Sequence, residues 1–314
     1  NEYGSEPEMN TSSRNMAFAY IDDSDHEHAV WFLNGLTAWN ETVLARKHQV
    51  AGTALWRLGT EDPLFWRFNR LPTVSPTTTF SSSSPLHTIT FTSEGELFRL
   101  HAPASAGSLD LTVDEEGRVD YARYTALPTG FVLERAGQAI RDKQLILTFD
   151  DGPDPVWTPQ IMNLLTALKV PATFFVVGSQ AEQYPALLKE LRRRGFLIGN
   201  HTYTHPDISK ISPERLRLEL NQTQRVIEAH FGAKTILFRP PYDTDSAPST
   251  LAQVRPIATL SQLGYIVVGA NIDSSDWEKP GVEQIIANVK RGLSDPNNHV
   301  IVMHDAGGDR SQTV

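Results

Sequence analysis

The sequence lacks cysteine, an excess of basic residues and long apolar runs. Without cysteine among its 314 residues the chain forms neither disulfides nor thiolate metal sites, so a metal site must use nitrogen and oxygen ligands. The 28 Lys and Arg against 37 Asp and Glu give a net charge of −9, which argues against a nucleic acid partner because a phosphate backbone demands a basic surface. Apolar runs fall far short of the ~18 residues that indicate a membrane span, which predicts a soluble chain.

The length and the two ends of the chain suggest a piece of a larger protein. A hydrophobic content of 40% allows a sizeable core, and the length allows two domains. The chain begins at Asn1 with no initiator Met and no apolar leader. At the other end the strand-like Val300–Met303 is followed only by a short tail, with no covering helix. We therefore expect a fragment whose C-terminal fold is truncated.

Changes in composition divide the chain into three parts. Residues 1–71 contain predicted strands and a helix, and Pro72–Pro85 is so rich in Thr, Ser and Pro that it predicts a linker. Beyond it, short strands separated by Gly-containing turns predict a small β-meander. We thus expect an N-terminal α/β fragment over 1–71, a linker and small β region over 72–142, and a main domain over 143–314. The predicted elements before 143 are strands at Ala17–Ile21, Ala29–Leu33, Thr88–Phe91, Leu97–Leu100, Leu109–Val113 and Val119–Tyr124, and a helix at Gly35–His48.

From Lys143 onward, strand and helix patterns alternate. Repeated βα units imply a parallel sheet buried on both faces, and the absence of a Gly-rich phosphate loop favours a barrel over a Rossmann fold. The predicted fold class is therefore α/β, with a distorted, incomplete (β/α) barrel. The strands are Leu145–Phe149, Ala172–Val177, Leu197–Gly199, Ile236–Phe238, Ile266–Gly269 and Val300–Met303. The helices are Thr158–Leu168, Pro185–Arg194, Pro213–His230, Leu251–Leu263 and Val282–Leu293.

Two adjacent carboxylates, Asp150 and Asp151, follow the apolar strand Leu145–Phe149 and precede a Gly-Pro turn. They are thus expected at the carboxyl end of a strand, where α/β sheets place their chemistry. An Asx-type turn that closes the strand is the structural alternative. The two carboxylates would repel each other on one metal ion, so one is expected to bind the metal while the other is free as a base.

Two histidines four residues apart, His201 and His205, follow the next-but-one strand. This spacing puts both imidazoles on one side of a turn, a usual way to present two nitrogens to one metal. Two unrelated loop histidines are the alternative, but a carboxylate at the end of an earlier strand favours a site of two His and one Asp. Such a set leaves positions open for water and substrate, as a hydrolytic site of the zinc type requires.

Further polar motifs follow later strands. Arg239 stands beside a Pro-Pro turn, where it would pair with a carboxylate or simply lie on the surface. Asp273–Trp277 and Val302–Asp305 are the other two motifs. The five motifs in this order resemble carbohydrate esterase family 4, the polysaccharide deacetylases, over Lys143–Asp305.

The resemblance implies a role for each matching residue. Asp150 matches the general base, and Asp151, His201 and His205 match the metal ligands. Arg239 matches the residue that orients the base, and the backbone N–H of Tyr242 matches an oxyanion donor. His304 matches the general acid, with Asp276 as the carboxylate that tunes it. The residues expected to contact substrate are Pro241, Tyr242, Trp277 and Met303.

The chain departs from the family pattern at two positions. Asp243 follows the Arg-Pro-Pro-Tyr turn where Gly is usual, and Ala270 stands where an aromatic residue is common. Both changes would reshape the sugar cleft without removing a catalytic group.

Residues 1–71 carry a second resemblance, to the last strands of family 18 glycoside hydrolase barrels. Trp56, before a Leu-Gly-Thr-Glu-Asp-Pro turn, occupies the place of a sugar-stacking Trp; a core aromatic is the other interpretation. The acidic catalytic signature of that family is absent from the chain, so no glycosidase activity is expected.

The resemblances together imply an N-deacetylase that uses a divalent metal, Zn²⁺ before Co²⁺, Ni²⁺ or Mn²⁺, on a polysaccharide or oligosaccharide of N-acetylglucosamine. They imply an extracellular, periplasmic or cell-envelope location and a fusion to a membrane glycosyltransferase beyond this chain. The alternatives are a non-catalytic carbohydrate-binding module on the same fold and a metal amidase acting on small non-sugar amides.

Overall fold

The computed structural model describes residues 6–55, 62, 64–70, 77–81, 88–137, 144–242, 248–295, 297 and 299–314. The chain forms two compact units. The N-terminal unit comprises Asn1–Thr88 and Ala104–Phe131, and the C-terminal unit comprises Ile89–Pro103 and Val132–Val314. These units divide the chain at other positions than the boundaries predicted from composition.

The N-terminal unit is an antiparallel sheet with two helices. The sheet order is β3-β2-β1-β8-β7-β4. Its elements are β1 (Glu8–Met9), β2 (Met16–Ile21), β3 (Glu27–Phe32), α1 (Gly35–Lys47), α2 (Leu64–Arg70), β4 (Thr77–Ser81), β7 (Ser108–Val113) and β8 (Val119–Ala126). Asn34 begins α1 by accepting the backbone N–H groups of Leu36 and Thr37 at 3.1 Å, and two basic residues follow in the last turn, where they favour the helix dipole.

The C-terminal unit contains a sheet whose main part is parallel. The order is β15-β16-β10-β11-β12-β13-β14, extended by the antiparallel strands β6-β9-β5. The strands are β5 (Ile89–Thr92), β6 (Leu97–Ala102), β9 (Phe131–Ala136), β10 (Ile146–Asp150), β11 (Ala172–Val176), β12 (Leu197–Asn200), β13 (Leu237–Phe238), β14 (Ile266–Val268), β15 (Ile272–Asp273) and β16 (Val300–His304). The helices are α3 (Trp157–Leu168), α4 (Gly178–Gln183), α5 (Pro185–Arg193), α6 (Pro213–His230), α7 (Leu251–Gln262) and α8 (Val282–Gly292).

A short segment joins the two ends of the parallel part. β14 pairs with β13 and β15 pairs with β16, and only residues 269–271 separate β14 from β15. The side-chain oxygen of Asn271 accepts the backbone N–H groups of His299 and Val300, which holds this segment against the far edge. The parallel strands therefore curve round without closing by strand pairing among the described residues, and the predicted α/β fold with an incomplete barrel is confirmed.

The core of the C-terminal unit lies between the parallel strands and their helices. Every residue of β11 is buried, as the unbroken apolar run predicts for a central parallel strand. Phe149 stacks on Phe174 with ring centroids 5.1 Å apart, and Phe196 meets Phe174 edge-on. On α5, Leu188 and Leu191 are fully buried while the basic residues of its last turn lie outside the core. Each such aliphatic side chain stabilises the fold by about 1.5–3 kcal/mol.

The region predicted as linker and meander differs from expectation. Thr77–Ser81 lies inside the predicted linker but forms β4, which pairs with β7. The short strands exist, but they do not form one meander, because β7 and β8 join the sheet of the N-terminal unit while β5 and β6 join that of the C-terminal unit. Thr is favoured in β-strands, so a Thr-rich segment can form a strand even where the neighbouring Ser and Pro residues suggest a linker.

Several elements were not predicted from the sequence. These are β1, α2, β4, β9, α4 and β15. Within the part of the chain that the structure describes, no helix combines the length and the apolar character needed to cross a bilayer.

Candidate active site

The polar motifs meet at one edge of the C-terminal sheet. β10, β12, β13 and β16 are parallel, so their carboxyl ends lie on the same side. A cavity of about 760 Å³ opens there, and its lining includes Asp150, Asp151, His201, His205 and His304. Strand pairing therefore brings together residues that are up to 154 positions apart, with Asp150 directly opposite His304 in the register of β10 and β16.

Asp151, His201 and His205 form a compact set of metal-ligating atoms. One atom from each residue lies within 4.8 Å of the others, and Asp151 Oδ1 is 3.5 Å from His201 Nε2 and 3.1 Å from His205 Nε2. Burial raises the pKa of Asp151, but hydrogen bonds from the two histidines outweigh this effect and hold it well below its usual range. The carboxylate is therefore anionic and ready to bind a cation.

A hydrogen bond fixes the orientation of the His201 ring. His201 Nδ1 lies 2.7 Å from the carbonyl oxygen of Arg239, which can only accept, so Nδ1 carries the proton. Nε2 is then the ring nitrogen that faces Asp151 at 3.5 Å. This is the arrangement of a metal-binding histidine whose second nitrogen is hydrogen-bonded to a neighbouring group.

The ligand loop is held by Glu219, which sequence reasoning missed. The Glu219 side chain on α6 is fully buried and accepts the backbone N–H groups of Tyr203 at 2.8 Å and Thr204 at 2.7 Å. These two residues lie between His201 and His205. A signal was present in the sequence, because Glu219 falls on the buried face of α6 beside Leu220, where an acidic residue requires hydrogen-bonding partners.

Several site residues adopt left-handed backbone conformations. Asp151 has φ 78°, His205 φ 58° and Tyr242 φ 61°, and none of them is glycine. Each such residue costs about 1–2 kcal/mol relative to an ordinary conformation. Strained backbone conformations persist only where the surrounding structure holds them in place, and they cluster at functional sites.

Asp150 is buried against Arg239. Arg239 Nη1 donates to Asp150 Oδ1 at 3.0 Å, and both side chains are almost inaccessible to solvent. The guanidinium also donates to the carbonyl oxygens of Val268 at 3.1 Å and Gly269 at 2.9 Å, and lies over the Phe175 ring. Arg239 is the largest fully buried side chain among those described. Because these bonds hold its guanidinium in place, it fixes the position of the Asp150 carboxylate.

His304 forms a buried pair with Asp276. His304 Nδ1 lies 2.7 Å from Asp276 Oδ1, and the second carboxylate oxygen accepts the His304 backbone N–H at 2.9 Å and the Thr313 hydroxyl at 2.7 Å. Burial lowers the pKa of His304, but the hydrogen bond and charge of Asp276 outweigh it, so the pKa is raised. The same contacts hold the pKa of Asp276 low. His304 can therefore carry a proton that it presents through Nε2.

Asp305 ends the motif Val302–Asp305, but the sequence analysis assigned no role to it. Its side chain accepts the Gly152 backbone N–H at 3.1 Å and the Thr158 hydroxyl, and its own N–H donates to the Asp150 carbonyl at 3.1 Å. Burial, together with the charges of Asp151 and Asp150, raises its pKa to about 7 despite the Thr158 hydrogen bond. Asp305 therefore links the turn after Asp151 to the strand that carries His304.

The predicted substrate contacts are only partly placed in the cavity. Tyr242 and Trp277 line it and are 63% and 54% exposed, and the Tyr242 ring meets the His205 ring edge-on. Pro240 lines the cavity, whereas Pro241 is buried and is not among the described lining residues.

Met303 does not contribute to the cavity lining as expected. It packs against the core cluster, and Val302 lines the cavity instead. Side chains alternate along β16, so the residue next to His304 faces the opposite side of the sheet.

The two departures from the family pattern and Trp56 have different outcomes. Ala270 lines the cavity. Asp243 and Trp56 lie outside the residues that the structure describes.

Comparisons with known proteins show which family the chain resembles. A family model described as polysaccharide deacetylase matches residues 137–265. A peptidoglycan-N-acetylglucosamine deacetylase of Bacillus cereus is 36% identical over 191 residues, covering 60% of this chain and 83% of its own length. A chitooligosaccharide deacetylase of Bradyrhizobium is 31% identical with the same coverage.

A solved structure has the same fold. The crystal structure of a peptidoglycan N-acetylglucosamine deacetylase superposes with a TM-score of 0.50 at 29% identity, covering 55% of this chain and 77% of that chain. The motifs, their convergence at one sheet edge and these relatives lead to one conclusion: the chain belongs to the polysaccharide deacetylase family.

Proposed function

We propose that this chain is a divalent-metal-dependent N-deacetylase that hydrolyses the acetamide of N-acetylglucosamine residues in a polysaccharide. Family membership makes it a hydrolase acting on non-peptide carbon–nitrogen bonds. The observation that carries the metal dependence is the set Asp151, His201 and His205 beside Asp150 and His304 in one cavity. A binding module would have no use for a base and an acid flanking the ligand set.

The residues present fit a metal ion. Asp151, His201 and His205 would hold it, and His201 is locked in the tautomer that exposes Nε2. Two imidazoles and one carboxylate suit Zn²⁺, and Co²⁺, Ni²⁺ and Mn²⁺ are the alternatives that the same ligand types accept. When bound, the metal would act as a Lewis acid toward the acetamide carbonyl and the attacking water.

The protein groups would divide the proton transfers between two sides of the amide. Asp150, held by Arg239, takes a proton from the water that attacks the carbonyl carbon, and the backbone N–H of Tyr242 donates to the oxygen that becomes negative. His304 gives its proton to the nitrogen as the carbon–nitrogen bond breaks. One amide and one water thus yield acetate and an amine. Asp276 keeps His304 oriented and protonated.

The relatives suggest the class of substrate. Their names refer to peptidoglycan N-acetylglucosamine and to chitooligosaccharides. We therefore propose a polymer or oligomer of N-acetylglucosamine, with chitin oligomers, peptidoglycan and poly-N-acetylglucosamine as the candidates, acted on at the cell envelope or outside the cell.

We also propose that residues 1–71 derive from a family 18 glycoside hydrolase-like module, and the sequence around Trp56 supports this proposal.

Acetate release tests the proposed activity. Protein loaded with Zn²⁺ is incubated with chitin oligomers, partially acetylated peptidoglycan, a β-1,6-linked N-acetylglucosamine polymer and a panel of sugar-free acetamides. We expect acetate only from the sugars, and a rate about 10²–10⁴-fold lower from the Asp150→Asn control. Release from the sugar-free panel alone would favour the amidase alternative, and binding to sugars without release would favour the non-catalytic module.

A further inference from the structure

Glu96 lies in the same cavity as the proposed catalytic groups, although it comes from the strand region before the main domain. It stands directly before β6, and its backbone carbonyl accepts the Gly269 N–H at 2.7 Å. Its carboxylate Oε1 accepts from Asn271 Nδ2 at 3.3 Å. Glu96 is therefore fixed through both its backbone and its side chain, and it remains only half-buried.

The position of Glu96 is tied to the proposed base. The Gly269 carbonyl oxygen accepts a hydrogen bond from Arg239 Nη2 at 2.9 Å, and the Gly269 N–H donates to the Glu96 carbonyl oxygen. Arg239 in turn donates to Asp150. Glu96 and Asp150 also line the same cavity, so a ligand that extends beyond the sugar held at Asp150 can reach the Glu96 carboxylate.

The carboxylates in the cavity differ in their partners. The described lining includes four carboxylates, from Glu96, Asp150, Asp151 and Asp273, and neither Lys nor Arg. Arg239 pairs with Asp150 from behind the lining, and Asp151 belongs to the ligand set. Asp273 already accepts the Ser275 backbone N–H at 2.7 Å. Among the described residues no cationic side chain forms an ion pair with Glu96, so its charge is available to a ligand.

The cavity also has room and an apolar surface beside this charge. Ala270 presents only a methyl group next to Asn271, and the exposed indole of Trp277 lines the same cavity. An apolar ring and a carboxylate that forms no ion pair with a described cationic side chain together suit a pyranose that carries a cationic substituent.

We propose that Glu96 is a specificity-determining residue that binds the protonated amine of a glucosamine residue adjacent to the N-acetylglucosamine being hydrolysed. This inference rests on the proposed deacetylase function. That reaction leaves an ammonium group on the sugar, so its product carries the group that Glu96 recognises. Partially deacetylated chains are then better substrates than fully acetylated ones.

The test compares matched tetramers. Wild-type protein is assayed on fully acetylated chitotetraose and on two isomeric tetramers. Each isomer carries a single free amine, which precedes an acetylated residue in one and follows it in the other. We expect kcat/KM to be about fivefold higher for one amine-containing isomer, the size of a favourable exposed ion pair. High salt should reduce this ratio because it screens the pair.

Glu96→Gln separates charge from hydrogen bonding, because the amide keeps an acceptor but loses the negative charge. We expect the ratio between the two substrates to fall to about one in this variant. The matched control is Glu228→Gln on α6, which makes the same charge change outside the lining and should keep the wild-type ratio. A wild-type ratio of one or below, or an unchanged ratio in Glu96→Gln, would overturn the proposal.

Binding measurements decide the point independently of turnover. Calorimetry with glucosamine tetramer and with cellotetraose, which carries neither amine nor acetyl group, should show tighter binding of the amine, and only in protein with Glu96. Equal binding of the two tetramers would overturn the proposal. If no acetylated sugar released acetate, the proposed deacetylase function would be wrong. The difference in binding between the two tetramers would still show whether Glu96 recognises the amine.

Discussion

Both units contain buried polar side chains, but these side chains have different partners. In the N-terminal unit, Asn40 Nδ2 donates to the Val119 carbonyl and Asn40 Oδ1 accepts the Val119 N–H, both at 2.7 Å. Trp39 Nε1 donates to the Gly117 carbonyl. In the C-terminal unit, His201 and His304 each use Nδ1 for a buried partner and leave Nε2 toward the cavity.

This difference separates structural from functional burial. A buried amide whose two ends bind one backbone residue joins α1 to β8 and serves the packing of its own unit. A buried imidazole that is bonded on one side only is oriented by the fold and available on the other side. Changes in the first group should therefore reduce stability, and changes in the second should reduce activity.

Removal of a proposed metal ligand should have the largest effect. We expect His201→Ala and His205→Ala to lose bound metal and all measurable activity, because a three-residue site without one nitrogen keeps too few ligands. Metal analysis after dialysis measures this. His26→Ala, which removes a largely exposed histidine of the N-terminal unit, is the control and should keep the metal. Full occupancy in either ligand variant would mean that the ligand set is misassigned.

The two adjacent carboxylates should differ in what they lose. Asp150→Asn should keep the metal while its rate falls by about 10²–10⁴-fold, the usual contribution of a general base. Asp151→Asn should weaken metal binding as well, because Asp151 is the carboxylate within reach of both histidines. Parallel metal titrations and acetate assays compare the two variants. The opposite pattern would exchange their roles.

A smaller effect is expected from the partner of His304. Activity requires protonated His304, so it should be lost as the pH rises through the raised pKa of this residue. Asp276→Asn removes the carboxylate that raises the pKa of His304, so the alkaline limb of the pH–rate profile should move to lower pH. Rates measured across pH on the metal-loaded variant test this. An unmoved alkaline limb would show that another group sets it.

Much of the proposed site could be predicted because its residues follow predicted strands directly. The Asp-Asp pair ends β10, the histidines follow β12 and Arg239 follows β13, so the order of strands in a parallel sheet was enough to place them together. Met303 shows that the motif alone was insufficient. Its neighbour His304 faces the cavity, and the two-residue period of a strand already implied that Met303 points to the core.

Other features depend on pairings between distant parts of the chain. Glu96 reaches the cavity because β6 pairs with β14, and short antiparallel strands carry no sequence signal that selects one sheet over another. Asp305 binds Gly152, which is 153 positions away, so its role could not be read from its own neighbourhood. Glu219 could have been found, since an acidic residue on an apolar helix face indicates a buried hydrogen-bonding partner.

The smallest effect on activity should come from the N-terminal unit. Asn40→Ala removes both hydrogen bonds to Val119 and leaves a buried N–H and carbonyl without partners, at a cost of about 2–4 kcal/mol in the free energy of unfolding. Denaturant unfolding followed by tryptophan fluorescence measures this loss.

Asn69→Ala is the matched control for that experiment. Its amide is on the exposed face of α2, where it donates to the Phe65 carbonyl and accepts a long, exposed bond from Arg46, so the loss should be well below that of Asn40→Ala. If Asn40 acts only within its own unit, kcat/KM for acetate release should stay at the wild-type value at temperatures where the variant remains folded. A fall in kcat/KM under those conditions would contradict the distinction, because a side chain bonded at both ends to Val119 would then affect the chemistry at the edge of the other sheet.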